Sequence, residues 1–170
     1  MKWSRWAALS CGAVAALLGA LALTGWLTGW RRLSSFRSDY IPMAPNTALS
    51  FLVLSAGVGA LTAGGRWPYR LAKAGAAVVF GVVAFRLSEV ATGADLQVDR
   101  WIFRFPAETL GLAPVGVMAF PTALNFLFAS VSLFLLASSR KARLANGVAG
   151  ALAVVVTFIG LVFSLGYVYG

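Results

Sequence analysis

Five long apolar stretches organise the chain, at residues 7–30, 47–64, 69–90, 122–137 and 144–169. A stretch of about 18 apolar residues or more, wound as an α-helix, is long enough to cross the hydrocarbon core of a bilayer. The fourth is slightly short, and Phe120 and Pro121 extend it. The third is interrupted by Lys73 near its start and by Arg86 and Glu89 near its end, positions from which long side chains can reach the headgroups. The pattern predicts an all-α, polytopic transmembrane helix bundle of about five spans, with residues 1–170 as a single integral membrane domain. One long connection, 92–120, separates the third and fourth spans. Its stretch Asp99-Arg100-Trp101-Ile102-Phe103-Arg104-Phe105 mixes aromatics with charge and reads as a segment lying at the interface.

Composition agrees with the pattern. Of the 170 residues 60% are hydrophobic and only 11% charged, and the mean hydropathy is +0.85, whereas about a quarter of an ordinary soluble domain is charged. The lipid bilayer is therefore the expected partner. A net charge of +9 could suggest nucleic acid, but the 14 basic residues fall in short clusters between apolar runs and form no continuous basic face, so no nucleic acid is expected. Cys11 is the single cysteine and histidine is absent, which removes an internal disulfide, the commonest metal ligand and the usual general base. No cofactor and no metal are expected.

Lys2 and Arg5 ahead of an apolar run also describe a signal peptide, and Ala20-Leu21-Ala22 imitates a cleavage site. The run continues through Trp30, which favours an uncleaved span. A lipoprotein reading of Leu9-Ser10-Cys11-Gly12 is weaker, because little apolar sequence precedes Cys11. With the N-terminus inside, Lys2, Arg5, Arg66, Arg70, Lys73, Arg140, Lys141 and Arg143 share the inner side without an acid among them. The outer side then holds six basic residues and all five acids, Asp39, Glu89, Asp95, Asp99 and Glu108. The basic clusters support a cytoplasmic N-terminus, and five spans place the C-terminus outside.

The segments 43–52 and 118–127 match at seven of ten positions, at a spacing of 75. Both copies place a proline, Pro45 or Pro121, at a helix start, where its missing N–H costs nothing. Both follow it with a threonine, Thr47 or Thr122, whose hydroxyl can cap free N–H groups. The motif reads first as a helix start, and second as a pair of helix starts lining an outward-facing cleft. Gly25-Trp26-Leu27-Thr28-Gly29 at the end of the first span is echoed by Gly166-Tyr167-Val168-Tyr169-Gly170 at the end of the fifth. Together these define a two-helix unit, with copies at about 7–64 and 69–138 and an incomplete third at 144–170. An even number of spans per unit gives successive units one orientation, which argues against an inverted-repeat transporter.

In the stretch from Ile41 to Leu52, its second copy from Met118 to Leu127, and the terminal Gly166-Tyr167-Val168-Tyr169-Gly170, the sequence resembles the membrane-embedded N-terminal input region of bacterial sensor histidine kinases and related diguanylate cyclases. Val98-Asp99-Arg100-Trp101 looks like that family's short acidic segment before the second copy. The resemblance implies a non-catalytic input or anchor domain acting by helix rearrangement, with a homodimer as its working form. The family continues with a sixth helix and cytoplasmic output modules, and none follows Gly170. The resemblance thus implies a product truncated before its sixth helix, or a stand-alone remnant, which cannot itself be the kinase.

No catalytic constellation stands out, and the expectation is no enzyme. Arg86 and Glu89, three residues apart, share a helix face and read either as a functional ion pair within a span or as a couple anchoring the helix end at the headgroups. Asn125 reads as an interhelical hydrogen-bonding residue. Gly57, Gly59, Gly75, Gly81, Gly147 and Gly150 are expected to let helices approach closely. Pro45, Asn46, Thr47, Arg86, Glu89, Pro121, Thr122 and Asn125 are the candidate functional or packing positions. The alternative readings are a small membrane transport or channel component and a structural subunit of a membrane complex.

Overall fold

The computed structural model describes residues 2–35, 41–94, 97–100, 109–110, 113–138 and 143–169. The chain is an all-α bundle of five helices, α1 (Lys2–Thr28), α2 (Pro45–Ala63), α3 (Arg66–Thr92), α4 (Phe120–Ser138) and α5 (Arg143–Tyr169). All five are long and apolar enough to cross a membrane. Two antiparallel two-residue strands, β1 (Thr109–Leu110) and β2 (Ala113–Pro114), form a small hairpin between α3 and α4. Residues 101–105 of the stretch 99–105 predicted to lie at the interface fall outside the described residues, as do Asp39, Asp95, Glu108, Arg140 and Lys141.

Each helix packs on the next along the chain, and α2 also reaches α4. The pairs α1–α2 and α3–α4 have the most extensive contacts. The three middle helices enclose the core: Val79 and Val83 of α3 meet Ala123 and Phe126 of α4 beneath Met118, with Phe51, Val53 and Leu54 of α2 against them. Phe51 and Phe126, which occupy matching positions in the two copies of the motif, meet edge to face with ring centroids 5.0 Å apart. On the periphery, α5 turns Val154, Phe158 and Leu161 outward, and α1 turns out Trp3, Trp6 and Val14. Such faces suit lipid, which solvates apolar side chains as well as another helix does.

Close helix approach rests on two of the expected glycines, Gly57 and Gly75, and on Gly19, which was not among them. A Cβ on Gly19 would come within 2.7 Å of the Ala48 carbonyl oxygen, and one on Gly57 within 2.6 Å of Leu133 Cδ2. Gly75 faces Val53, as expected, but Gly59, Gly81, Gly147 and Gly150 have no neighbour within 4 Å. Apolar sequence marks a helix as buried in lipid or protein without saying which of its sides meets another helix.

Prolines open the repeated helices as the motif predicts. Pro45 begins α2 behind the cap residue Ala44, and Pro121 stands in the first turn of α4. Capping by threonine is not the device used at α2: Ala44 at the cap makes no side-chain hydrogen bond, and Thr47 lies buried within the helix. The α2–α3 turn is carried by Gly64 and Gly65 at φ 74° and 103°, backbone conformations that side chains with a Cβ adopt at a cost.

Candidate functional site

The openings of α2 and α4 lie at the same end of the bundle as the closing turn of α3, and each is tied by its backbone. Ahead of α2, the Met43 N–H donates to the Ser34 carbonyl at 2.8 Å. The Met43 carbonyl accepts the indole N–H of Trp26, from the end of α1, at 2.8 Å. Ahead of α4, the Met118 N–H donates to Asp99 Oδ2 at 3.2 Å, and the Met118 carbonyl accepts Arg86 Nε–H, from the end of α3, at 3.0 Å.

Around Met118 the ties are ionic and extend into a network. Arg86 Nη1 lies 2.9 Å from Glu89 Oε2, and Arg86 Nε lies 3.4 Å from Asp99 Oδ2. Glu89 also accepts the Val98 N–H through Oε1 at 3.2 Å. Asn46, in the first turn of α2, donates its amide to the Val98 carbonyl at 3.1 Å and to Asp99 Oδ1 at 3.2 Å. Glu89 and Asp99 are 5% and 4% exposed, so this is a buried cluster and not a surface ion pair. Buried charges persist only when paired and hydrogen-bonded, which every carboxylate oxygen here is. Burial raises the Asp99 carboxyl above its ordinary value of 3.8, against the lowering effects of the Met118 N–H, Arg86 and the Asn46 amide, and Glu89 adds to the rise.

Three of the sequence-derived candidates therefore converge: Asn46, Arg86 and Glu89. Arg86 and Glu89 are paired at the end of α3, as their spacing predicts. The Arg86 side chain turns inward to Met118 and Asp99, because the backbone and carboxylate acceptors lie inside the bundle. Pro45 and Thr47 flank Asn46 and set the start of α2. Pro121 and Thr122 are half-buried in the first turn of α4 and make no contact in the network. Asn125 faces Gly160 of α5, yet its amide oxygen is buried without a hydrogen-bond partner, so the expected interhelical bond is not formed through that atom. The interhelical side-chain bond between α4 and α5 is made instead by Ser132, whose hydroxyl donates to the Ala149 carbonyl at 2.9 Å.

Asp99 is the central residue that the candidate positions omitted. It was expected along the interface and is instead drawn inward, making contacts to α2, to α3 and to the segment entering α4. The usable signal was its place: an acid in a charge-poor chain, between a span carrying Arg86 and Glu89 and the second copy of the motif.

Beside the network an open cleft of about 270 Å³ is lined by Arg86, Glu89, Val90, Gly93 and Ala94. Gly93 closes α3 in the left-handed conformation, its N–H returning to the Glu89 carbonyl at 2.9 Å. At the opposite end, Arg5 donates to the Thr62 carbonyl at 2.8 Å and the Lys73 ammonium lies 4.8 Å from the centre of the Phe134 ring. No group of three or more metal-ligating side chains occurs among the described residues. Neither a protein-family model, nor a curated protein, nor a solved structure matches this chain.

Proposed function

We propose that the chain is a non-catalytic membrane input or anchor domain of the sensor-kinase type, in which a change at the Asp99 end is passed along the bundle by rearrangement of α2, α3 and α4. The observation that carries this reading is the Asn46–Asp99–Arg86–Glu89 network. It joins α2, α3 and the turn at Val98–Arg100 through side chains at one end of the bundle, and holds the segment entering α4 by the backbone of Met118. A disturbance of any one member changes the restraints on the others. The repeated helix opening and the basic clusters at the other end support the same reading, with the N-terminus in the cytoplasm of a bacterial cell and the Asp99 end outside. A homodimer, or a membrane-protein partner, is the working form this reading implies.

The test is a pair of spin labels at Ala60 on α2 and Leu136 on α4, far from the network, in a Cys11→Ser background reconstituted in lipid nanodiscs. Arg86→Gln is expected to shift the distance distribution between the labels. An unchanged distribution in a folded variant would reduce the domain to an anchor. Reporters fused after Gly170 test the orientation separately, and a periplasmic signal is expected. Ion-dependent flux from proteoliposomes would instead favour a transport or channel component, and stable co-purification with other membrane subunits a structural role.

A further inference from the structure

Within the network two carboxylates share one guanidinium. Arg86 supplies one positive charge and is partly exposed, while Glu89 and Asp99 supply two negative charges and are both buried. Hydrogen bonding is out of balance in the same direction. The amide oxygen of Asn46, a residue 3% exposed, is buried with no donor, while its amide nitrogen already serves Val98 and Asp99. Among the described residues the cluster holds one negative charge and one acceptor more than its donors satisfy. An uncompensated charge in low dielectric is costly, and uptake of a proton is the smallest change that removes it.

We infer that this cluster is a proton-binding site in which Asp99 takes the proton, and that the loaded site clamps the Val98–Arg100 turn onto the openings of α2 and α4. Asp99 has the longer contact to Arg86, 3.4 Å against 2.9 Å for Glu89, and Glu89 accepts the Val98 N–H besides. The groups facing Asp99 are Arg86 and Glu89 from α3, the neutral Asn46 amide from α2 and the Met118 N–H ahead of α4. Burial of Asp99 favours the protonated form, so the clamped state binds the proton more tightly than a state with Asp99 in water. Linkage fixes the direction. The contribution of the proton to clamping is complete below 3.8, the ordinary value, and is lost as pH rises through the raised value of the buried group. Acid closes this end of the bundle, and rising pH releases it.

For the proposed input function, on which the physiological meaning of this site rests, the proton would be the stimulus. The test needs no output. Amide exchange of Val98 and Met118 is measured on the full chain in nanodiscs with a chelator present, from about pH 4 to about pH 8, as protection relative to the free peptide rate. Protection is expected to fall through a one-proton transition, by about tenfold for each unit by which Asp99 is raised. Asp99→Asn is expected to hold high protection throughout. Glu89→Gln removes the surplus charge and is expected to move the transition down towards 3.8. A flat wild-type profile, a transition that survives in Asp99→Asn, or one that stays in place in Glu89→Gln would each overturn the proton site. Any of these would leave the coupling of α2 to α4 through Arg86 standing, since the spin-label distances test that separately.

Discussion

Met43 and Met118 stand at matching positions ahead of α2 and α4, and each has both of its backbone groups held. Around Met43 the holders are neutral, the Ser34 carbonyl and the Trp26 indole. Around Met118 they are charged, the Asp99 carboxylate and the Arg86 guanidinium. The geometric task is the same, fixing where a helix starts relative to the end of the helix before it. A neutral solution leaves nothing to titrate. The ionic one must bury charge, and so requires further partners, Glu89 beside Arg86 and Asn46 beside Asp99. Those partners make the second opening reach back to α2, while the first opening closes on its own pair.

Three substitutions probe that difference, and a pair at glycines compares the ends of α1 and α5. Arg86→Ala leaves two buried carboxylates without a cation and should cost about 3–5 kcal/mol, measured by denaturant unfolding in micelles. A loss under about 1 kcal/mol, the scale of an exposed pair, would mean the ionic opening is solvated after all. Asn46→Ala removes two donors from buried acceptors and should cost about 1–3 kcal/mol. It should also loosen both openings, visible as faster amide exchange at Met118. Trp26→Phe keeps an aromatic ring, a smaller one, and deletes the bond to Met43, for about 1 kcal/mol from the hydrogen bond, with exchange at Met118 unchanged. A response at Met118 as large as at Met43 would remove the distinction between a local and an extended opening. Smallest is Gly166→Ala, expected to cause no loss of stability, because nothing lies within 4 Å of the added carbon. Gly25→Ala should destabilise, since there the carbon would meet Ser34 N at 2.9 Å and Leu33 Cβ at 3.0 Å.

That last contrast also marks where sequence reading stops. The five helices were legible because lipid-compatible apolar length is a one-dimensional property, and their ends differ from the predicted ones by a few residues. The ends of α1 and α5 carry similar strings, yet Gly25 packs on the turn that follows it and Gly166 faces open space. Contact faces depend on the angles between helices, which apolar composition does not encode when lipid and protein interiors are equally apolar. In the site, the spacing of Arg86 and Glu89 announced their pairing. Asp99 and Met118 join them from across a long connection, and no local periodicity reports a contact of that kind.

Asn46 stands where the second copy of the motif has Pro121. Proline carries no amide on its side chain, so the bridge that runs from α2 into the Asp99 turn has no counterpart from position 121. Of the two matching openings, the one at α2 carries a side chain that grips the Asp99 turn and the one at α4 does not, so two near-copies of a helix start have become two different kinds of joint.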